Sequence, residues 1–101
     1  MAAKFKIEKF NGNNNFSLWR VKMHALLVQQ GFQKALKGRE TLPKMMTKQE
    51  KYDLLERTHS TILLSLSDEV LQEVAEEKSA TALWLKLESL YMTKSLTIEF
   101  I

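Results

Sequence analysis

The stretch Phe10-Asn11-Gly12-Asn13-Asn14-Asn15-Phe16-Ser17-Leu18-Trp19 constrains the fold more than any other part of the chain. Asn and Gly tolerate positive φ, so residues 11–15 specify a turn. Asn is also a favoured helix cap, and Phe16 and Trp19 begin an apolar pattern with a period near 3.6. The stretch therefore fixes where the first helix starts and which aromatic side chains it buries first.

That helix is predicted over roughly 15–30. Phe16, Trp19, Met23, Leu26, Leu27 and Gln30 share a face, widened by Val21, Ala25 and Val28. Gly31 reads as its C-cap, and Phe32, Ala35 and Leu36 suggest one more helical turn before Gly38. After a connector that holds Pro43, the only proline, Thr47-Lys48-Gln49-Glu50 matches the capping box. The helix it opens runs to about Leu66. Tyr52, Leu55, Ile62, Leu63 and Leu66 form its apolar side, Glu50, Asp53, Arg57 and Ser60 its polar stripe, and Asp53 and Arg57 are spaced to pair. Ser67-Asp68-Glu69 starts a short acidic helix to about Glu77 that buries Val70, Leu71 and Val74. Ser79 or Thr81 caps a last helix on which Leu83, Trp84, Leu87, Leu90 and Tyr91 share a face.

Phe5, Ile7 and Phe10 lie in a segment too short and too charged for a helix, and are read as an extended arm on the core. The expectation is an all-α fold, a compact bundle of about five helices with an extended N-terminal arm. Its parts are an arm and turn (1–14), a helical domain (15–93) and a tail (94–101).

Composition narrows the function. The 101 residues fit one domain on the prior of roughly 100–200 residues each. The chain has no Cys, hence no disulfide, thiolate nucleophile or Cys-based zinc site, which suits a cytoplasmic setting. Apolar runs such as Ala82-Leu83-Trp84-Leu85 fall far short of the roughly 20 residues of a membrane span, so no membrane partner is expected. Charge is unevenly spread: residues 1–51 hold 11 Lys/Arg and 3 Asp/Glu (+8), residues 52–101 hold 4 and 9 (−5). Such a chain can attract copies of itself head to tail, or bind a polyanion through its basic half.

Catalytic chemistry finds little support. His24 and His59 have no acidic or thiol partner at metal-binding spacing and read as surface residues. Asp68, Glu69, Glu73, Glu76 and Glu77 fill the face opposite Val70 and Val74, as a solvated face does. No phosphate loop or nucleophile elbow is present, so no enzyme activity, cofactor, metal or small-molecule substrate is expected. Lys34, Lys37 and Arg39 are candidate RNA phosphate contacts, but the basic residues are dispersed, so such binding is weak, non-specific and salt-sensitive.

Taken together, Phe10-x-Gly12, Trp19-x-x-x-Met23, Gly31-Phe32, Ile62-x-x-x-Leu66 and Thr81-Ala82-x-Trp84-x-x-Leu87-x-x-x-Tyr91 resemble the Gag polyprotein of copia-type LTR retrotransposons, plant members above all. The resemblance covers about residues 4–97 and lies in the order and spacing of these elements. It implies a fold like the N-terminal domain of a retrotransposon capsid, which self-associates into virus-like particles around the element's RNA. Under it, Phe10, Gly12, Trp19, Met23, Leu27, Ile62, Leu66, Trp84, Leu87 and Tyr91 are the family's core motif. On the packing argument, its place on the apolar face of the last helix makes Trp84 a buried aromatic whose truncation to Ala costs roughly 3–5 kcal/mol. The chain departs from the family with Tyr52 where Trp is common and Thr58 where Ala is common. Ile98-Glu99-Phe100-Ile101 does not continue the family's helical pattern, so the chain reads as a truncated fragment. The competing reading is a host-adapted Gag remnant that binds RNA weakly and non-specifically or interferes with assembly.

Overall fold

The structure, a computed structural model, describes residues 7–38 and 42–92. Among the described residues there are four α-helices, α1 (Phe16–Gln30), α2 (Lys48–Leu64), α3 (Asp68–Val74) and α4 (Ala80–Leu87). A 3-10 turn (Gln33–Lys37) follows α1, and a wider π turn (Glu88–Met92) extends α4. The all-α class holds, with four α-helices where about five were expected. The difference is the segment after α1. Gly31 at φ 79° and Gly38 at φ 109° bracket it, and the few residues between them close i→i+3 bonds such as Ala35 N–H to Phe32 C=O (3.0 Å).

Side-chain caps set every α-helix start. Asn15 Oδ1 accepts from Leu18 N–H at 2.9 Å, and Thr47 and Glu50 form the reciprocal capping box at 3.1 and 2.8 Å. Ser67 and Ser79 cap α3 and α4. Thr81, the other cap candidate, lies inside α4 and donates to the Leu36 carbonyl at 2.7 Å, tying α4 to the 3-10 turn. α3 stops at Val74, short of the expected Glu77. The Glu77 carbonyl instead receives His59 Nε2 at 2.9 Å, so His59 is a half-buried tie between α2 and the α3–α4 loop, not a free surface residue.

The arm enters the fold as backbone. Phe10 N–H donates to Ser65 C=O (3.0 Å) and Ser67 N–H to Phe10 C=O (2.9 Å), a single parallel bridge at the α2–α3 junction. This seats the Phe10 ring, wholly buried, among Phe16 at 5.1 Å, Trp19 at 5.7 Å and Tyr91 at 4.7 Å between centroids. Two edge-on contacts are the geometry that aromatic quadrupoles favour. Met23, Leu27, Ile62, Leu66, Val70, Val74, Ala80, Leu83 and Leu87 complete the buried cluster. Phe5 and the tail 94–101 lie outside the described residues.

Two expected stripes are narrower than their sequence spacing suggests. On α1, Val21 and Val28 are 62% and 44% exposed and Ala25 is exposed, because the core takes only the Phe16, Trp19, Met23 and Leu27 line. Gln30 also faces outward. On α2 the buried line runs through Thr58 and Ile62, leaving Tyr52 57% exposed. Thr58 is accommodated because its hydroxyl donates to the Leu54 carbonyl at 2.7 Å. Asp53 accepts from Gln49 Nε2 (2.9 Å) and forms no ion pair with Arg57.

Trp84 packs against the buried cluster from its edge, stacked on Trp19 at 5.9 Å, and is only partly buried. The expected stability ranking changes accordingly. Phe10→Ala should cost about 3–5 kcal/mol and Trp84→Ala about 2 kcal/mol in urea denaturation. A larger loss for Trp84→Ala would contradict this placement of the core.

Candidate functional site

The Asn-rich turn is held by its own side chains. Asn11 Oδ1 accepts from the backbone N–H groups of Asn13 (2.8 Å) and Asn14 (3.0 Å). Asn14 returns the bond, its Oδ1 accepting from Asn11 N–H (2.9 Å) and its Nδ2 donating to Lys9 C=O (3.0 Å). Gly12 sits at φ 91°, a region L side chains rarely adopt, with Val70 and Tyr91 close beneath it. The amides and carbonyls that could hold a ligand are thus largely consumed by the turn.

A recess lies on each side of this turn. The larger, about 510 Å³, has Val70, Leu90 and Tyr91 at its apolar base, Glu69 and Glu73 as acids, and Lys86 as its cation. The smaller, about 130 Å³, is bounded by Glu8, Asn14, Asn15, Leu18, Trp19 and Lys22. Trp19 is 3% exposed, and its indole Nε1 has no hydrogen-bond partner. A third recess of about 340 Å³ lies between Phe32, Met46 and α2 residues that include Glu50 and Arg57.

Two long-range polar contacts fasten the π turn. Tyr91 donates its phenol hydrogen to Glu73 Oε1 at 2.5 Å, joining the π turn to α3. Arg20 Nε donates to Glu88 Oε2 at 2.7 Å, joining α1 to the same turn. Local sequence gives no signal for either pair. Glu73 belongs to the acidic face that spacing alone assigns to solvent, and its carboxylate is instead a partner for a buried phenol. Burial raises the Tyr91 phenol from its ordinary 10.0 to about 12, and the Glu73 hydrogen bond and charge add to the effect.

The motif residues converge on one place. Phe10, Trp19, Met23, Leu27, Ile62, Leu66, Leu87 and Tyr91 lie in a single buried cluster, Trp84 packs at its edge, and Gly12 lies over Val70 and Tyr91. The RNA candidates lie elsewhere: Lys34 and Lys37 are exposed on the 3-10 turn, and Arg39 falls outside the described residues. His24 is exposed on α1, and among the described residues no group of His, Asp and Glu is arranged to hold a metal ion. No described helix is long and apolar enough to cross a membrane.

This architecture is that of an all-α domain built on an arm-and-aromatic core, and comparison with known proteins places it. Residues 23–99 match the family described as gag-polypeptide of LTR copia-type. The chain is also 45% identical over 94 residues to the retrovirus-related Pol polyprotein from transposon TNT 1-94 of Nicotiana tabacum. That alignment covers 93% of this chain and 7% of the tobacco protein, so the chain spans a small part of that relative's length. The chain belongs to the copia-type LTR gag-polypeptide family. No solved structure matches it.

The Tyr91 phenol carries a pH signature. Its folded value lies above the unfolded value, so the unfolded chain loses this proton first as pH rises. The contribution is fully present below about pH 10 and should fall away by about pH 12, a loss of roughly 2 kcal/mol. Stability measured across that range should decline less steeply in Tyr91→Phe. Equal slopes in the two proteins would refute the assignment.

Proposed function

We propose that the chain is a capsid-type structural module of a copia-type LTR retrotransposon, which self-associates into virus-like particles that enclose RNA. Family membership supplies the class. The observation that carries the reading further is the convergence of the motif residues on one buried core, which commits them to building a scaffold. What remains for contact is the surface, basic in residues 1–51 and acidic in residues 52–101. Opposite charges on one chain favour attraction between like subunits and set its register more than its strength.

Association should therefore rise with protein concentration and weaken with salt. Sedimentation velocity at about 50 mM and about 500 mM salt reads both, because screening shortens from roughly 14 Å to roughly 4 Å between them. A protein that stays monomeric at high concentration and low salt would rule the reading out.

Lys34, Lys37 and Arg39 provide the RNA-facing part of the proposal. Replacing all three with Glu should weaken retention of unstructured RNA at low salt and reduce the log–log salt slope by about 2. An unchanged slope would remove these residues from the RNA surface.

A further inference from the structure

α1 has two apolar faces, and the fold uses one. Phe16, Trp19, Met23 and Leu27 enter the core. Leu18, Val21, Ala25 and Val28 recur at intervals of three, four and three on the other side. Their exposures are 51% for Leu18, 62% for Val21 and 44% for Val28, with Ala25 exposed between them. Scattered surface hydrophobes are ordinary. A line of four at the spacing of a helix seam marks a contact surface.

The flanks of this line carry one sign of charge. α1 contains no acidic residue; Lys22 lies beside the line, while Arg20 is already paired with Glu88. Lys22 and Leu18 also border the small recess beside Trp19, with Glu8 as the acid on its rim. The large cleft on the other side of the Asn-rich turn has the converse character. It is concave, with an apolar base of Val70, Leu90 and Tyr91, and its α3 wall presents Glu69 and Glu73. Lys86 is the one cation in that lining.

We infer that the outer face of α1 in one copy docks into the acid-walled cleft between α3 and the π turn of a second copy, Leu18 and Val21 meeting its apolar base and Lys22 meeting Glu69. The inference rests on the self-association reading and names its contact. A second copy is the occupant because both halves of the match are on this chain: convex apolar against concave apolar, basic flank against acidic wall. Two different surfaces meet, so the contact is heterologous, the kind that propagates from subunit to subunit.

Four proteins test it: wild type, Leu18→Ser/Val21→Ser, Lys22→Glu and Glu69→Lys. All substituted positions are exposed, and circular dichroism melts check that each variant folds. Sedimentation velocity at low salt should show association weakened about tenfold in the double variant and in each charge reversal. An equimolar mixture of Lys22→Glu and Glu69→Lys should recover mixed association, read by fluorescence transfer between labelled proteins, because the reversed charge on α1 of one then faces the reversed charge on α3 of the other. Wild-type association that all variants retain overturns this contact and leaves self-association standing. Loss in Leu18→Ser/Val21→Ser with none in Glu69→Lys would mean that α1 pairs with another surface, and it also overturns the proposal. A monomeric wild type removes the self-association reading itself.

Discussion

The structure depends on one residue being held at both ends of its backbone. Phe10 donates to Ser65 and accepts from Ser67, which places an arm that has no helix of its own into the junction of α2 and α3. These bonds satisfy peptide groups that burial would otherwise leave unpaired. They also fix the ring at the centre of an aromatic group drawn from α1 and the π turn. Remove that anchor and Phe16, Trp19 and Tyr91 lose the surface they share, so the arm belongs to the core it sits in.

The second constraint follows from the first. Once Phe10 sets which side of α1 faces inward, the helix can bury only the line through Phe16, Trp19, Met23 and Leu27. A helix rich in apolar residues on both sides then keeps the remainder outside. The same logic explains Tyr52 on α2, where the buried line passes through Thr58 and Ile62. Apolar spacing states that a residue can be buried; the neighbouring element decides whether it is.

Around the core, polar contacts act as fasteners between segments distant in sequence. Arg20 with Glu88 and Tyr91 with Glu73 hold the π turn to α1 and α3, and Thr81 and His59 tie loops to helices through backbone carbonyls. The partly exposed Arg20–Glu88 pair adds little stability in water. The Tyr91 bond is of more consequence, since a buried phenol without a partner is costly.

The sequence by itself determined the helix starts, because a cap is a local contract between a side chain and an amide two or three residues away. Asn15, Thr47 with Glu50, and Ser67 are legible for that reason, as are the Gly31 stop and the position of the Asn-rich turn. The order and spacing of its aromatic and aliphatic motif also carried the family. Only the tertiary structure decided that Val21, Ala25 and Val28 stay outside the buried stripe of α1, that Trp84 lies at the rim while Phe10 takes the centre, and that Glu73 serves a phenol. Those outcomes depend on contacts between residues far apart in the chain, where burial of one surface excludes burial of another, and no local period encodes that choice.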